Sequence, residues 1–282
     1  MGYRIAAVML AAVLLLCGCA PVPAPEEESG AGEPLTVYCF RAGKADAFLL
    51  MSEGGSVLID TGESGFGGEI LDCLERFGIS SLDYLILTHF DRDHVGGAAK
   101  LLQKIPVRCV LQSNCPKDSS EYEKYCAALA EAALTPVTVR DTLCFSLGKV
   151  GYTVLPPARE SYEKDASNNS SLMVEVRCGA QKLLFTGDAE KARLGEYLLS
   201  EPTACDFLKV PYHGHWQALL PALVETVTPR YAVITSSEEE TEDDETTALL
   251  QQAGVQVFLT RVAPVIVRCD GTSMTVTYEK SL

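Results

Sequence analysis

Leu82-Asp83-Tyr84-Leu85-Ile86-Leu87-Thr88-His89-Phe90-Asp91-Arg92-Asp93-His94-Val95-Gly96-Gly97 is a mostly apolar run that passes directly into a loop crowded with imidazoles and carboxylates. Leu82 to Thr88 has the character of a strand covered on both faces of its sheet. The loop after it offers four potential ligands, His89, Asp91, Asp93 and His94, within six residues. A tight loop aims alternate side chains into one cavity, and neutral imidazole with carboxylate suits zinc, manganese or iron(II). A lone surface Asp or His usually ends in a solvated ion pair, so density is what argues for a metal site here. The chain has four histidines, at 89, 94, 213 and 215, and all fall in two short segments that each follow a predicted strand. Gly96 and Gly97 either let the next helix, expected from Val95 to Lys104, pack close beneath the site or simply bend its start.

Outward from this loop, two periodicities alternate. Upstream, Leu35 to Arg41, Ala47 to Met51 and Ser56 to Asp60 read as a strand meander, and Gly68 to Phe77 has helical spacing closed by Gly78. Downstream, Val107 to Gln112 is a strand and Glu121 to Leu134 an alanine-rich helix. Thr142 to Leu147, Tyr152 to Leu155, Leu172 to Cys178 and Lys182 to Thr186 are further strands. The second half echoes the first: helix Glu190 to Ser200, strand Phe207 to Val210, helix Leu219 to Val227, strand Tyr231 to Thr235. Thr246 to Ala253, Val255 to Leu259, Val265 to Cys269 and Met274 to Tyr278 finish the chain. Strand groups interleaved with helices throughout predict a four-layer α/β architecture, two packed mixed sheets with helices on both outer faces.

Three predicted strands end on polar groups, Asp60, Asp188 and His213. Such ends deliver side chains to one edge of the layered sheets, where ligand sites of α/β folds are built.

At the N-terminus, Arg4 precedes an apolar run from Ile5 to Leu16 that closes on Leu16-Cys17-Gly18-Cys19. It is short for a membrane span and has the pattern of an export signal. Residues 1–18 are therefore expected to form a lipoprotein signal with Cys19 as the lipidated first residue, and an uncleaved anchor helix is the competing reading. Residues 19–34, rich in Pro, Glu and Gly, read as a tether, and residues 35–282 as one domain. The expected location is the outer face of the cell membrane, held by the lipid on Cys19.

The formal net charge of -15 argues against tight binding of duplex DNA. The acidic run from Glu238 to Glu245 reads as a solvated loop and helix start. Setting aside Cys17 and Cys19 leaves 11 − 2 = 9 cysteines, an odd number without paired metal-ligand spacing, which favours mostly free thiols over a disulfide framework.

The ordered set of motifs, from Leu58-Ile59-Asp60-Thr61-Gly62 through the 88–97 loop and Leu183-Leu184-Phe185-Thr186-Gly187-Asp188 to Leu208-Lys209-Val210-Pro211-Tyr212-His213-Gly214, resembles the metallo-β-lactamase-fold hydrolases. Their loop reads H-x-H-x-D-H, and Asp91 stands where the second His of that loop sits. That replacement, with Gly43-Lys44-Ala45-Asp46-Ala47 early and Lys209 to Gly214 late, is similar to the outward-facing hydrolase domain of the competence protein ComEC. The resemblance implies an αββα sandwich and a hydrolase using one or two divalent ions, zinc or manganese. It implies His89, Asp91, Asp93, His94, Asp188 and His213 as ligands, Asp188 bridging, with Asp93 orienting the attacking water or accepting its proton. Asp60 is implied as a support for the loop. A further family histidine is absent, its place falling in Ser167-Asn168-Asn169-Ser170-Ser171, so the site of Asp93, His94, Asp188 and His213 looks better filled than that of His89 and Asp91.

Asn168 and Asn169 read as substrate contacts or as turn formers, and Tyr212 as a hydrogen-bond donor to substrate. His215 reads as a support at the site mouth or a surface group. The expected substrate is a small phosphodiester, a nucleotide or short nucleic acid. A lactone or ester hydrolase, and a non-catalytic metal-binding surface lipoprotein, are the alternatives. Oligomeric state stays open, a monomer included.

Overall fold

The computed structural model describes residues 34–280. The signal expected at 1–18, the lipidation site Cys19 and the tether, save Pro34, lie outside the described residues.

In chain order the elements are β1 (Leu35–Cys39), β2 (Phe48–Ser52), β3 (Gly55–Ile59), α1 (Gly67–Arg76), β4 (Leu82–Leu87), α2 (Arg92–Val95), α3 (Ala98–Leu102) and β5 (Val107–Gln112). There follow α4 (Ser120–Glu131), β6 (Val137–Thr138), β7 (Leu143–Leu147), β8 (Val150–Leu155), α5 (Ala166–Asn169), β9 (Met173–Cys178), β10 (Gln181–Phe185) and α6 (Lys191–Leu199). The chain continues with β11 (Phe207–Lys209), a 3₁₀ turn (Pro211–Gly214), α7 (Leu220–Val227), β12 (Tyr231–Ile234), α8 (Asp244–Gln252), β13 (Gln256–Leu259), β14 (Val265–Cys269) and β15 (Met274–Tyr278).

These strands form an eight-stranded sheet, ordered β15-β14-β1-β2-β3-β4-β5-β6, and a seven-stranded sheet, ordered β13-β12-β11-β10-β9-β8-β7. Side-chain alternation makes the layers. Leu183 and Phe185 of β10 point between the sheets, where they meet Phe48, Leu50 and Phe207, while Leu184 points outward to Leu194, Leu223 and Leu250 of the helices. On the other outer face Leu49, Leu58 and Leu85 pack on Ile70, Leu74, Leu101 and Tyr125. The expected αββα sandwich is thus present, with one apolar core between the sheets and one beneath each helical layer.

Local sequence explains the element ends. Helix α1 buries Ile70, Cys73 and Leu74 on one face, and Gly78, at φ +71°, lets the chain turn back so that the Ile79 N–H donates to the Leu74 carbonyl. The structure departs from the sequence reading at the helix expected from Val95 to Lys104. It divides into α2 and α3, and helical backbone starts earlier, at Arg92. The glycines between the two are fixed by close approach: a Cβ on Gly97 would lie 2.3 Å from the Thr61 carbonyl oxygen, and one on Gly96 2.3 Å from the Ser64 nitrogen. Three further elements are absent from the sequence pattern: the short strand β6, the turn of helix α5 and the 3₁₀ turn at Pro211–Gly214.

In the acidic stretch α8 begins at Asp244, while Glu242 is turned inward onto Arg261. Among the described residues no disulfide is formed, and no helix is long and apolar enough to cross a membrane.

Candidate metal centre

β3, β4 and β5 run parallel in one sheet, and β10, β11, β12 and β13 run parallel in the other. Their C-terminal ends deliver the polar residues of both sheets to one edge. Asp60 follows β3, Thr88 and His89 follow β4, Asp188 follows β10, Lys209 ends β11 ahead of His213, and Thr235 follows β12. Helix α2 carries Asp93 and His94 over that edge.

Four of the predicted ligands converge: one ligand atom each from Asp93, His94, Asp188 and His213 lies within 4.8 Å of the others. Asp188 Oδ2 is the centre, 3.2 Å from His94 Nε2, 2.9 Å from His213 Nε2 and 4.0 Å from His89 Nε2. Asp93 Oδ2 is 3.5 Å from His213 Nε2. The Nε2 atoms of His89, His94 and His213 are all buried and none makes a hydrogen bond. Three such atoms aimed at one carboxylate oxygen need a partner.

The outer hydrogen bonds fix what those atoms are. Thr88 Oγ1 donates to Asp60 Oδ2 at 2.7 Å, which leaves the hydroxyl only its lone pairs for His89 Nδ1 at 3.1 Å. His89 therefore carries its proton on Nδ1 and turns a bare Nε2 to the site. The same logic holds for His213: Thr235 Oγ1 donates to Asp46 Oδ1 at 2.6 Å and accepts from His213 Nδ1 at 3.0 Å. His94 Nδ1 donates straight to Asp60 Oδ2 at 2.8 Å. All three rings are held in the tautomer that a divalent ion takes, with a second shell of hydroxyls and carboxylates behind them. The residues present fit a divalent cation, since the carboxylates of Asp93 and Asp188 complete a four-donor set.

Charge favours the same ion. Burial and the neighbouring His94 lower His89 to about 4, so this ring is neutral. Burial acts against a charged His94 or His213, yet the Asp188 carboxylate outweighs it and raises both. Burial likewise opposes ionised Asp188 and Asp93, but the surrounding imidazoles, with Lys209 beside Asp188, hold both carboxyls low. In this dry setting the carboxylates of Asp93 and Asp188 draw positive charge, which protons on His94 and His213 supply and a divalent ion would replace.

Several residues of this centre were not singled out from the sequence. Lys209, fully buried, places Nζ 2.6 Å from Asp46 Oδ2 and 3.4 Å from Asp188 Oδ1, and donates to the Gly187 carbonyl at 2.9 Å. Asp46 was visible only as part of a motif, Thr235 only as a strand end, and a period-2 apolar pattern carries no signal for either role. Asp60, Tyr212 and His213 adopt φ of +55°, +48° and +54°, a conformation that costs a non-glycine residue about 1–3 kcal/mol and gathers at functional sites.

The remaining expected residues fall as follows. Asp91 faces His89, Oδ1 to Nε2 at 3.9 Å, but lies in neither cluster of converging ligand atoms. Asn169 is buried and spent on the backbone, accepting from the Arg193 N–H and donating to the carbonyls of Lys164 and Asp165. Asn168 donates to Glu190 Oε1 at 2.7 Å. Within that segment it is two serines, not the asparagines, that reach the centre: the Ser167 hydroxyl donates to Asp91 Oδ1, and Ser171 Oγ lies 3.4 Å from His89 Nδ1 and accepts from the Asp188 N–H. Tyr212 is half-buried beside the site, with its ring 5.2 Å from that of His215. His215 sits at the rim, its Nδ1 3.4 Å from Asp243 Oδ1.

An αββα sandwich with an imidazole and carboxylate cluster at the strand ends defines the class of metallo-hydrolase folds. The sequence profile of the metallo-beta-lactamase superfamily matches residues 41–236, and the chain belongs to that superfamily. The chain is 31% identical over 199 residues to Recombination protein 2 of Haemophilus influenzae, covering 69% of this chain and 23% of that one. It is 29% identical over 199 residues to ComE operon protein 3 of Bacillus subtilis, covering 64% and 25%. The similarity to ComEC-type competence proteins thus spans about a quarter of those relatives' length. Among solved structures, the metallo-beta-lactamase fold protein YhfI of Bacillus subtilis superimposes with a TM-score of 0.58 at 11% identity, over 87% of this chain and 100% of that one, which shows the shared fold.

Proposed function

We propose that the protein is an exported, lipid-anchored, metal-dependent phosphodiesterase acting on nucleotides or short nucleic acid. The observation that carries this reading is the convergence of three tautomer-locked, unpartnered imidazole nitrogens on Asp188, with Asp93 beside them. Asp93, His94, Asp188 and His213 would hold a divalent ion, zinc or manganese, which would supply Lewis-acid activation of water at neutral pH. Asp93, ionised and partly open to the site mouth, orients the attacking water by accepting a hydrogen bond from it. Lys209 keeps Asp188 charged and turned toward the imidazoles.

A phosphodiester is favoured over a neutral ester by two half-buried lysines at the rim. Lys44 lies 4.0 Å from Asp93 and 3.1 Å from Glu240, and Lys117 lies 2.5 Å from Asp91, so an anionic group would meet the cation of an ion pair at each of these positions. The names of the matched relatives, a recombination protein and a competence operon protein, agree with a nucleic-acid substrate. The net charge of -15 favours short substrates over long duplexes. Export and anchoring at Cys19 rest on the Ile5 to Leu16 run and the cysteine after it.

The test is hydrolysis of bis-p-nitrophenyl phosphate by the purified protein with manganese or zinc, beside a lactone and a carboxylic-ester panel. Metal-dependent phosphodiester turnover that is lost in Asp188→Ala and His94→Ala is expected. Turnover of only the esters, or turnover that survives either substitution, overturns it. For the anchor, Cys19→Ala is expected to move the protein out of the membrane fraction.

A further inference from the structure

We propose that Lys117 stands, as a tethered cation, in the place of a second metal ion, so that this chain holds one divalent ion where its centre has the outline of two. The proposal rests on the metal-dependent reading above and adds the number of ions and the residue that sets it.

Asp91 is the residue on which it turns. Its Oδ1 receives Lys117 Nζ at 2.5 Å and the Ser167 hydroxyl as well. Both donors reach it across the fold, one from the 113–119 loop and one from the second residue of α5. An oxygen that already holds an ammonium and a hydroxyl has little left to offer a metal. The geometry of the pocket agrees. Among the described residues the ligand atoms that lie within 4.8 Å of one another are those of Asp93, His94, Asp188 and His213, and those of Asp46, Asp60 and His94. His89 and Asp91 join neither group, although His89 Nε2 is buried and unpartnered. The second of these groups already has its cation, because Lys209 Nζ lies 2.6 Å from Asp46 Oδ2. Lysine thus neutralises carboxylate at two places around the centre and leaves one cluster for an ion.

Lys44 does not play the same part, because its Nζ lies nearer Glu240, at 3.1 Å, than Asp93, at 4.0 Å. The Lys117 side chain is 37% exposed, so its ammonium also faces whatever enters the mouth. Removing it would strip Asp91 of its strongest partner and leave His89, Asp91 and Asp188 as three donors for a second ion, with water completing the shell.

The experiment is metal counting on the whole protein, loaded with manganese alone and freed of unbound ion, by elemental analysis and electron paramagnetic resonance. The wild type is expected to hold one equivalent with an isolated-ion spectrum. Lys117→Met is expected to approach two equivalents with a spin-coupled pair, and Lys117→Arg, which keeps the charge, to stay at one. Two equivalents in the wild type, or one in a Lys117→Met protein that still folds as judged by its near-ultraviolet dichroism, overturns the proposal. No bound manganese in the wild type overturns the metal reading itself, a result distinct from a count of two.

Discussion

Lys209 and Asp46 form a salt bridge with Nζ 2.6 Å from Oδ2 and neither side chain open to solvent. It joins the end of β11 to the segment between β1 and β2, so one ion pair ties the two sheets together at the edge where the site lies. Burial by itself would lower the lysine, but Asp46 and Asp188 raise it, so it stays charged. Breaking a buried pair from one side strands the other charge and costs about 3–5 kcal/mol. Lys209→Met is expected to lose stability of that order in urea unfolding at neutral pH. Lys209→Met combined with Asp46→Asn should recover most of it, and equal losses in the single and double variants would refute the pairing.

The hydroxyls behind the imidazoles give a second expectation. Thr235→Val keeps the shape of the side chain and removes the acceptor of the His213 Nδ1 proton. Outer-shell partners of this kind are typically worth about 10–100-fold in metal affinity. Titration calorimetry with manganese should show a weakening in that range, with stoichiometry unchanged. Affinity equal to wild type would mean that the tautomer is set by something other than Thr235.

Much of this architecture is legible in the chain, for physical reasons that also say where legibility stops. The alternation that sends Leu183 and Phe185 one way and Leu184 the other is a property of consecutive residues, so β10 and its neighbours can be read directly. Asp188 and His213 are legible because an isolated polar group at the end of an apolar strand stands out. Lys117 on Asp91 is not, because the pairing spans 26 positions and depends on where a loop lands. Nor is the break between α2 and α3, since helical spacing continues through Gly96 and Gly97 and only the tertiary approach of Thr61 and Ser64 shows why both lack side chains. Asn169 illustrates the reverse error: a polar residue in a functional segment whose amide is consumed by holding α5 to α6.

The approach at Gly97 is itself a prediction. A methyl there would meet the Thr61 carbonyl oxygen at 2.3 Å, and Thr61 is held in turn by its own N–H and hydroxyl, which donate to the His94 carbonyl at 2.7 and 2.8 Å. Neither side is free to yield, so Gly97→Ala should cost about 1–3 kcal/mol, as overpacked cores do. Gly68→Ala is the control, because its nearest neighbour is the flexible end of Lys100 at 2.7 Å, and it should unfold at the wild-type urea concentration or slightly above. Equal midpoints for the two variants would mean that the loop can shift to admit the methyl.

Glu242 predicts a pH dependence away from the metal centre. Burial pushes its carboxyl up, but the Arg261 guanidinium, 3.1 Å away, and the Ser236 hydroxyl, donating at 2.7 Å, outweigh burial and leave it below the ordinary glutamate value. A carboxyl whose folded value is depressed binds its proton more readily when the chain is unfolded. Its contribution is therefore complete above the ordinary glutamate value of about 4.3 and disappears as the pH falls through the lower, folded one. Glu242→Gln should lower stability at pH 7 and narrow its gap to wild type as the pH is taken below the ordinary glutamate value. Arg261→Met should show the same convergence, since it removes the other half of the pair. Unfolding curves measured between pH 7 and pH 3 decide it: a gap that stays constant across that range would mean that Glu242 acts through packing and not through its charge.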